Sequence, residues 1–392
     1  MVNHLPGTLA MIAALIEKPS VSCTDPAFDQ SNLSVINLIA EWAETLGFNV
    51  EIMPLAGNPG KANLIATLGN NNHRNGLVLS GHTDTVPFDE AKWHSDPFKL
   101  AEKDQRLYGL GSADMKSFFA LALSAANRFD AKKLQQPLTL IATCDEESTM
   151  SGARMLVDQA IKPGRYAIIG EPTNLHPVRM HKGIMMESII IHGKSGHSSD
   201  PELGANAIEG MHKVLQSLLE WRQELQKNNR NPLFKVDVPT MNIGSIHGGD
   251  NPNRICSHCE TQIDIRPLPG MDIDELRYSL KKRLEPILDS TSGLTLELNS
   301  LFPGTPPFET AESAKIIQSA EQISGHRAGA VAFGTEAPYL NQLGLETVIM
   351  GPGSIDQAHQ PNEFLALDQI NPTISFLEKM IGQYCFSSEA GL

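Results

Sequence analysis

Apolar positions recur at helical spacing between Ser31 and Leu46, where Val35, Leu38, Ile39, Trp42 and Leu46 form one stripe. Ser31 is placed to cap the start of that helix and Gly47 to end it. Upstream, Leu9–Ile16 reads as a first amphipathic helix. Only a histidine precedes it, and Glu17-Lys18-Pro19 follows with no small-residue cleavage site, which argues against a signal peptide. Short apolar runs come next at Phe48–Met53, Asn63–Thr67 and Leu77–Ser80, then at Leu138–Thr143, Tyr166–Ile169 and Thr347–Met350. Each is of strand length and bounded by Gly, Pro or Asn. Helical patterns lie between several of them, notably Met115–Phe129 and Gly152–Ala160. This alternation predicts an α/β domain with a largely parallel sheet flanked by helices.

The middle of the chain has a different rhythm. Met185–His192 reads as a strand and Ala205–Leu225 as a long helix, with Ile208, Met211, Leu215 and Leu218 on one stripe. The polar stretch Gln226–Asn231 reads as a loop. Strands at Met241–His247 and Ile255–Ile265, a helix at Ile273–Leu288 and a strand at Leu294–Leu298 follow. Strand, helix, strand, strand, helix, strand is the split βαβ, or ferredoxin-like, order. The expected organisation is therefore a larger domain of residues 1–182 and 302–392, interrupted by a four-stranded module of residues 183–301.

Composition narrows the classes. A chain of 392 residues has room for two or three domains, and 41% apolar against 19% charged residues permits full cores. The net charge of −14, with no basic block, makes nucleic acid and anionic membrane surfaces poor partners. No apolar run approaches the roughly 18 residues a membrane span requires. The five cysteines are odd in number and dispersed, as expected of reduced thiols in the cytoplasm.

The chemistry gathers where strands end. Leu77–Ser80 leads into Gly81-His82-Thr83-Asp84, in which His82 and Asp84 share a face and Asp84 can help to position the imidazole. Asp114 stands just before a helical pattern, in Gly111-Ser112-Ala113-Asp114-Met115-Lys116; an N-cap role would also suit it. The acids Asp145-Glu146-Glu147 follow another strand and repel one another, so something positive must offset them or one must hold a proton. Glu171 follows a third strand and His359 lies beyond a fourth. Open α/β sheets bind ligands at this carboxyl edge. His82, His359, Asp114, Glu147 and Glu171 suit a divalent metal, and their number suits two ions, with Glu146 left free as a general base. Cys256-Ser257-His258-Cys259 is a weak metal or redox signal, because in a strand residues three apart face opposite sides.

These segments, with Gly170-Glu171-Pro172-Thr173 and Ala358-His359, resemble the dinuclear zinc amidohydrolase and peptidase family along the whole chain and in the same order. The resemblance implies two divalent ions, zinc expected and cobalt possible. His82 and Glu171 would serve one ion, Glu147 and His359 the other, and Asp114 both. It further implies Glu146 as the base for a water activated between the ions, Asp84 as the group that holds His82, and a cis bond at Asp114–Met115. The inserted module would be a dimerisation or lid domain of a homodimer, and its His197 would reach the active site of the partner subunit to stabilise the oxyanion.

Asn253 and Arg254, also in the module, could grip a substrate carboxylate, although a surface salt bridge would also occupy Arg254. Thr335 and Glu336 could meet the rest of the substrate or begin a helix. The segments Phe333–Tyr339, Gly351–Glu363, Asn251–Cys256 and Asp264–Gly270 resemble most the branch that deacetylates a small N-acetyl amino acid. Deacylation of another N-acyl amino acid and cleavage of a small peptide remain the alternatives.

Overall fold

The computed structural model describes residues 5–69, 75–289 and 293–386. The chain begins with α1 (Thr8–Ile16), α2 (Leu33–Thr45), β1 (Asn49–Leu55), β2 (Asn58–Leu68), β3 (Leu77–His82), β4 (Ala101–Lys103), β5 (Arg106–Tyr108), α3 (Ser117–Ala126), β6 (Leu138–Thr143), α4 (Ser151–Asp158), β7 (Tyr166–Pro172) and β8 (Val178–His181). It continues through β9 (Met185–His192), α5 (Ala207–Asn228), β10 (Thr240–Gly248), β11 (His258–Arg266), α6 (Ile273–Asp289), β12 (Thr295–Ser300) and β13 (Phe308–Glu309). It ends with α7 (Lys315–Ser324), β14 (Gly329–Val331), α8 (Ala337–Gln342), β15 (Glu346–Gly351), β16 (Phe364–Ala366) and α9 (Ile370–Cys385). Two compact units result. One comprises residues 1–179, 310–329 and 335–392, the other residues 180–309 and 330–334. Among the described residues no helix is long and apolar enough to cross a membrane.

In the first unit the strand order is β1-β2-β6-β3-β7-β15. Neighbours from β6 to β15 run parallel, whereas β1 and β2 pair antiparallel with each other and β2 pairs antiparallel with β6. The sheet is thus mixed, more so than the apolar runs alone indicate. The reason is local: Leu55 pairs with Asn58 across a tight turn in which Gly57 takes φ +80°, and so short a connection can only reverse the chain. Every residue of β3, β6 and β7 is buried. That is why these strands read as unbroken apolar runs rather than as alternating ones. Helix α3 packs against α1, α9 and β3, and α7 against β15 and α9. Helices α4 and α8 pack on each other around Met150, Ala153 and Tyr339. Because β3, β6, β7 and β15 are parallel, their carboxyl ends emerge along one edge.

The second unit is a four-stranded antiparallel sheet in the order β10-β11-β9-β12, with α5 and α6 closing its own core. This is the ferredoxin-like order. Helix α5 runs on to Asn228, three residues into the stretch expected to be loop. Asn229 then closes the end with a bond from Nδ2 to the Leu225 carbonyl. Strand β11 begins at His258, so Cys256 lies before it. Both cysteines pack into the same apolar core instead of facing opposite ways.

Gly170 of β7 shows how tightly the first unit is filled. A Cβ there would lie 2.1 Å from Cγ of Phe118 on α3. Gly170→Ala is expected to cost about 1–3 kcal/mol through overpacking, read as a lower urea midpoint at unchanged slope.

Candidate metal centre

Strand β3 delivers His82 to the carboxyl edge. Its Nδ1 lies 3.0 Å from the backbone carbonyl oxygen of Asp84. A carbonyl only accepts, so Nδ1 donates to it and Nε2 is the ring nitrogen that faces the site. Nε2 lies 3.1 Å from Oδ1 of Asp114 and 3.9 Å from Oε1 of Glu171. The other oxygen of Asp114, Oδ2, is 3.7 Å from Nε2 of His359. Asp114 thus turns one oxygen to each imidazole. His359 Nε2 lies 3.1 and 3.0 Å from the two oxygens of Glu147. Donor atoms of His82, Asp114 and Glu147 fall within 4.8 Å of one another, as do those of His82, Glu146 and Glu171. All five ligand-type residues named from the sequence therefore meet, with Glu146 grouped with His82 and Glu171 and Glu147 with His82 and Asp114. The Asp114–Met115 peptide bond is cis.

Asp84 acts on His82 chiefly through its backbone. Its carboxylate Oδ1 is 3.7 Å from Nδ1, and Oδ2 accepts the Glu147 N–H at 3.0 Å. Oδ1 has no hydrogen-bond partner among the described residues, although it is buried.

The electrostatics call for cations. Burial pushes the Glu146 and Glu171 carboxyls well above the usual range, and neighbouring carboxylates add to the shift. Burial pushes Asp84 up to about 6. For His82, burial favours the neutral ring. The hydrogen bond to Asp114 and the charges of Glu171, Glu146 and Asp114 override it and raise the imidazole well above 6.5. The hydrogen bond to Glu147 raises His359 to about 9. A largely buried set of carboxylate oxygens and imidazole nitrogens without thiolates fits divalent ions of borderline hardness. His359 is the open side: its side chain is 54% exposed.

Two buried acids with a part here were not identified from the sequence as supports. Glu363 accepts the backbone N–H groups of Gly111, Ala113 and Asp114 at 3.0, 2.7 and 3.0 Å, and so shapes the loop that presents Asp114. Glu336 accepts from the Ser80 hydroxyl and, at 2.6 Å, from Thr143 Oγ1, which ties it to β3 and β6. Nothing in a polar segment of sequence marks either carboxylate as buried. Thr335 needs correction as a candidate substrate contact. It is fully buried, and its hydroxyl accepts the Ala337 N–H at the start of α8, the helix-start role also foreseen for it.

The remaining candidates lie on the second unit. His197 is exposed and bridges by its backbone to Arg254. The Asn253 carbonyl accepts from the Ser198 N–H at 3.1 Å. The Arg254 guanidinium is engaged by both carboxylate oxygens of Asp250, with Nε at 3.1 Å.

The sequence model of Peptidase family M20/M25/M40 matches residues 78–383, a span that contains this entire cluster. The chain belongs to that family. M20 relatives of high similarity include acetylornithine deacetylase of Pasteurella multocida, 48% identical over 98% of this chain and 100% of that protein. Acetylornithine deacetylase of Photorhabdus laumondii is 47% identical over 98% and 99%. Among solved structures, an M20 family metallo-carboxypeptidase of Sulfolobus solfataricus superposes with a TM-score of 0.76 at 20% identity, covering 97% of this chain and 99% of that one. A Bacillus subtilis dinuclear metal binding peptidase of the M20 family gives 0.68 at 15% identity, over 96% and 98%. These structures share the M20 fold, and the chain, as a member of the family, is a metal-dependent hydrolase.

Glu363→Gln tests how far the Asp114 loop depends on its buried acceptor. An amide offers one acceptor oxygen where two now serve three N–H groups. The change is expected to lower the unfolding free energy of the metal-free protein by about 1–3 kcal/mol, measured by urea denaturation.

Proposed function

We propose that this amidohydrolase removes the acetyl group from N-acetyl-L-ornithine, giving ornithine and acetate, a step of arginine biosynthesis. One observation carries the reading. Relatives named acetylornithine deacetylase align with nearly the whole chain at 46–48% identity, and this chain keeps every ligand-type residue and Glu146 in one cluster. The segments Phe333–Tyr339 and Gly351–Glu363 resemble the same branch.

In this reading His82 and Glu171 would hold one divalent ion, Glu147 and His359 the other, and Asp114 would serve both. Zinc is the expected metal and cobalt the substitute. When bound, such ions polarise the amide carbonyl and make water acidic enough to attack near neutral pH. The Glu146 carboxylate takes the proton of the attacking water and passes it to the nitrogen of the leaving amine as the C–N bond breaks. The backbone carbonyl of Asp84 keeps the His82 ring in the required tautomer. A second copy of the chain, in a homodimer, supplies His197 as a hydrogen-bond donor to the oxyanion of the tetrahedral carbon. Asn253 and Arg254 receive the substrate's α-carboxylate, which requires Arg254 to exchange Asp250 for the ligand. The cytoplasm is the expected location, in keeping with free thiols at all five cysteines.

The test is hydrolysis of Nα-acetyl-ornithine by metal-stripped protein before and after zinc or cobalt is added. Activity should appear only with metal. Glu146→Ala should lower kcat by roughly 10²–10⁴-fold while still binding metal. Turnover without metal would defeat the mechanism. Cleavage of a different N-acyl amino acid or a dipeptide, with acetylornithine untouched, would defeat the substrate assignment alone.

A further inference from the structure

The run Asp145-Glu146-Glu147 poses an electrostatic problem that the two imidazoles do not answer for its first member. The answer comes from Lys61 on β2. Its side chain is 2% exposed, and Nζ lies 2.8 Å from Oδ1 of Asp145 and 2.8 Å from Oδ1 of Asp29. Burial works against the ammonium, but hydrogen bonds and charge from Asp145 and Asp29 hold its pKa above the ordinary value. Ser22 Oγ donates to the same Asp145 oxygen at 3.0 Å.

Asp145 is also where the backbone turns. Its φ is +57°, in the left-handed region that non-glycine residues seldom occupy. Its carbonyl accepts from Thr149 and Met150 N–H at 3.1 and 2.7 Å, which closes the loop. This turn sends Glu146 toward His82 and Glu171, and Glu147 toward His359. Strand β2 holds the loop a second time. Asn63 shares a face of the strand with Lys61. It accepts the Cys144 N–H at 3.1 Å and donates to the Gly152 carbonyl at 2.9 Å.

From this geometry we infer that Lys61 is a positioning residue: by clamping Asp145 it fixes the turn that aims Glu146 and Glu147 into the metal centre. The inference rests on the roles given to those two glutamates above. It adds that a lysine on β2, the antiparallel strand between β1 and β6, sets their geometry through Asp145.

Three variants test this: Lys61→Met, Lys61→Arg, and the double change Lys61→Met with Asp145→Asn. The double variant removes both members of the buried pair. It leaves no unpaired Asp145 charge, so it stays readable should the single Met variant fail to fold. Folding is followed by thermal unfolding of the metal-free proteins. The decisive readouts are zinc affinity, by competition with a chromogenic chelator, and the visible absorption of cobalt-loaded protein. Supporting positioning outcomes are a roughly 10–100-fold weaker affinity for at least one ion in the folded Met or double variant, an altered cobalt spectrum, and kcat falling more than KM rises. Lys61→Arg, which still offers a cation to both carboxylates, should recover most of the affinity. A folded Met or double variant with wild-type zinc affinity and cobalt spectrum would overturn the inference. The metal readouts need no substrate, so failure of the acetylornithine assignment would show separately, as a wild-type protein that binds metal but leaves that compound intact.

Discussion

Buried negative charge concentrated at one edge of a sheet is the constraint to which the rest of the catalytic unit answers. Asp84, Asp114, Glu171, Glu336 and Glu363 are buried, and Glu146 and Glu147 stand among them. At about 4 Å two like charges repel by roughly 4 kcal/mol even at an effective dielectric of 20. The chain meets part of this cost itself. Lys61 neutralises Asp145, two imidazoles lie among the carboxylates, and backbone N–H groups serve Glu363 and Asp84. What remains uncompensated lies between His82, Asp114, Glu147 and Glu171, where the pair of divalent cations proposed above would complete the balance. The same unmet charge that would weaken the fold would thereby become affinity for metal.

The scaffold makes that concentration possible. Three strands buried on both faces place His82, the acidic run and Glu171 at one level of the sheet, with His82 opposite Thr143 in the register. Parallel neighbours put every carboxyl end on the same side, so residues far apart in sequence converge without any loop having to travel. Two of the three loops that carry ligand-type residues are pinned from outside themselves. Glu363 gathers three amides of the Asp114 loop, and Lys61 with Asn63 grips the acidic loop from β2. Rigid support of this kind suits a centre whose donors must hold position before the ions arrive.

The second unit follows a different logic. Strand β11 alternates buried and more open positions along its length, and α5 and α6 close the core of this unit. Polar residues on loops, His197, Asn253 and Arg254 among them, therefore stand exposed, and Arg254 is engaged by a neighbouring aspartate.

Much of this was legible in the sequence. Apolar runs of strand length marked β3, β6, β7 and β15, helical stripes marked α2 and α5, and the strand–helix order marked the ferredoxin-like module, because burial on one or both faces leaves a periodic trace along the chain. Acids and histidines beyond strand ends named His82, Glu147, Glu171 and His359, since a parallel sheet sends its strand ends to a common edge, and Asp114 was named at the start of a helical pattern. The antiparallel β1–β2 edge, the burial of Thr335 and the supports from Lys61, Glu336 and Glu363 were not legible. A charged residue in a polar segment looks the same whether it ends in water or in the interior. Which of the two applies depends on what approaches it from elsewhere in the chain. Lys61 meets Asp145 across 84 positions of sequence, and only the folded sheet, by running β2 beside β6, brings that ammonium to the carboxylate it neutralises.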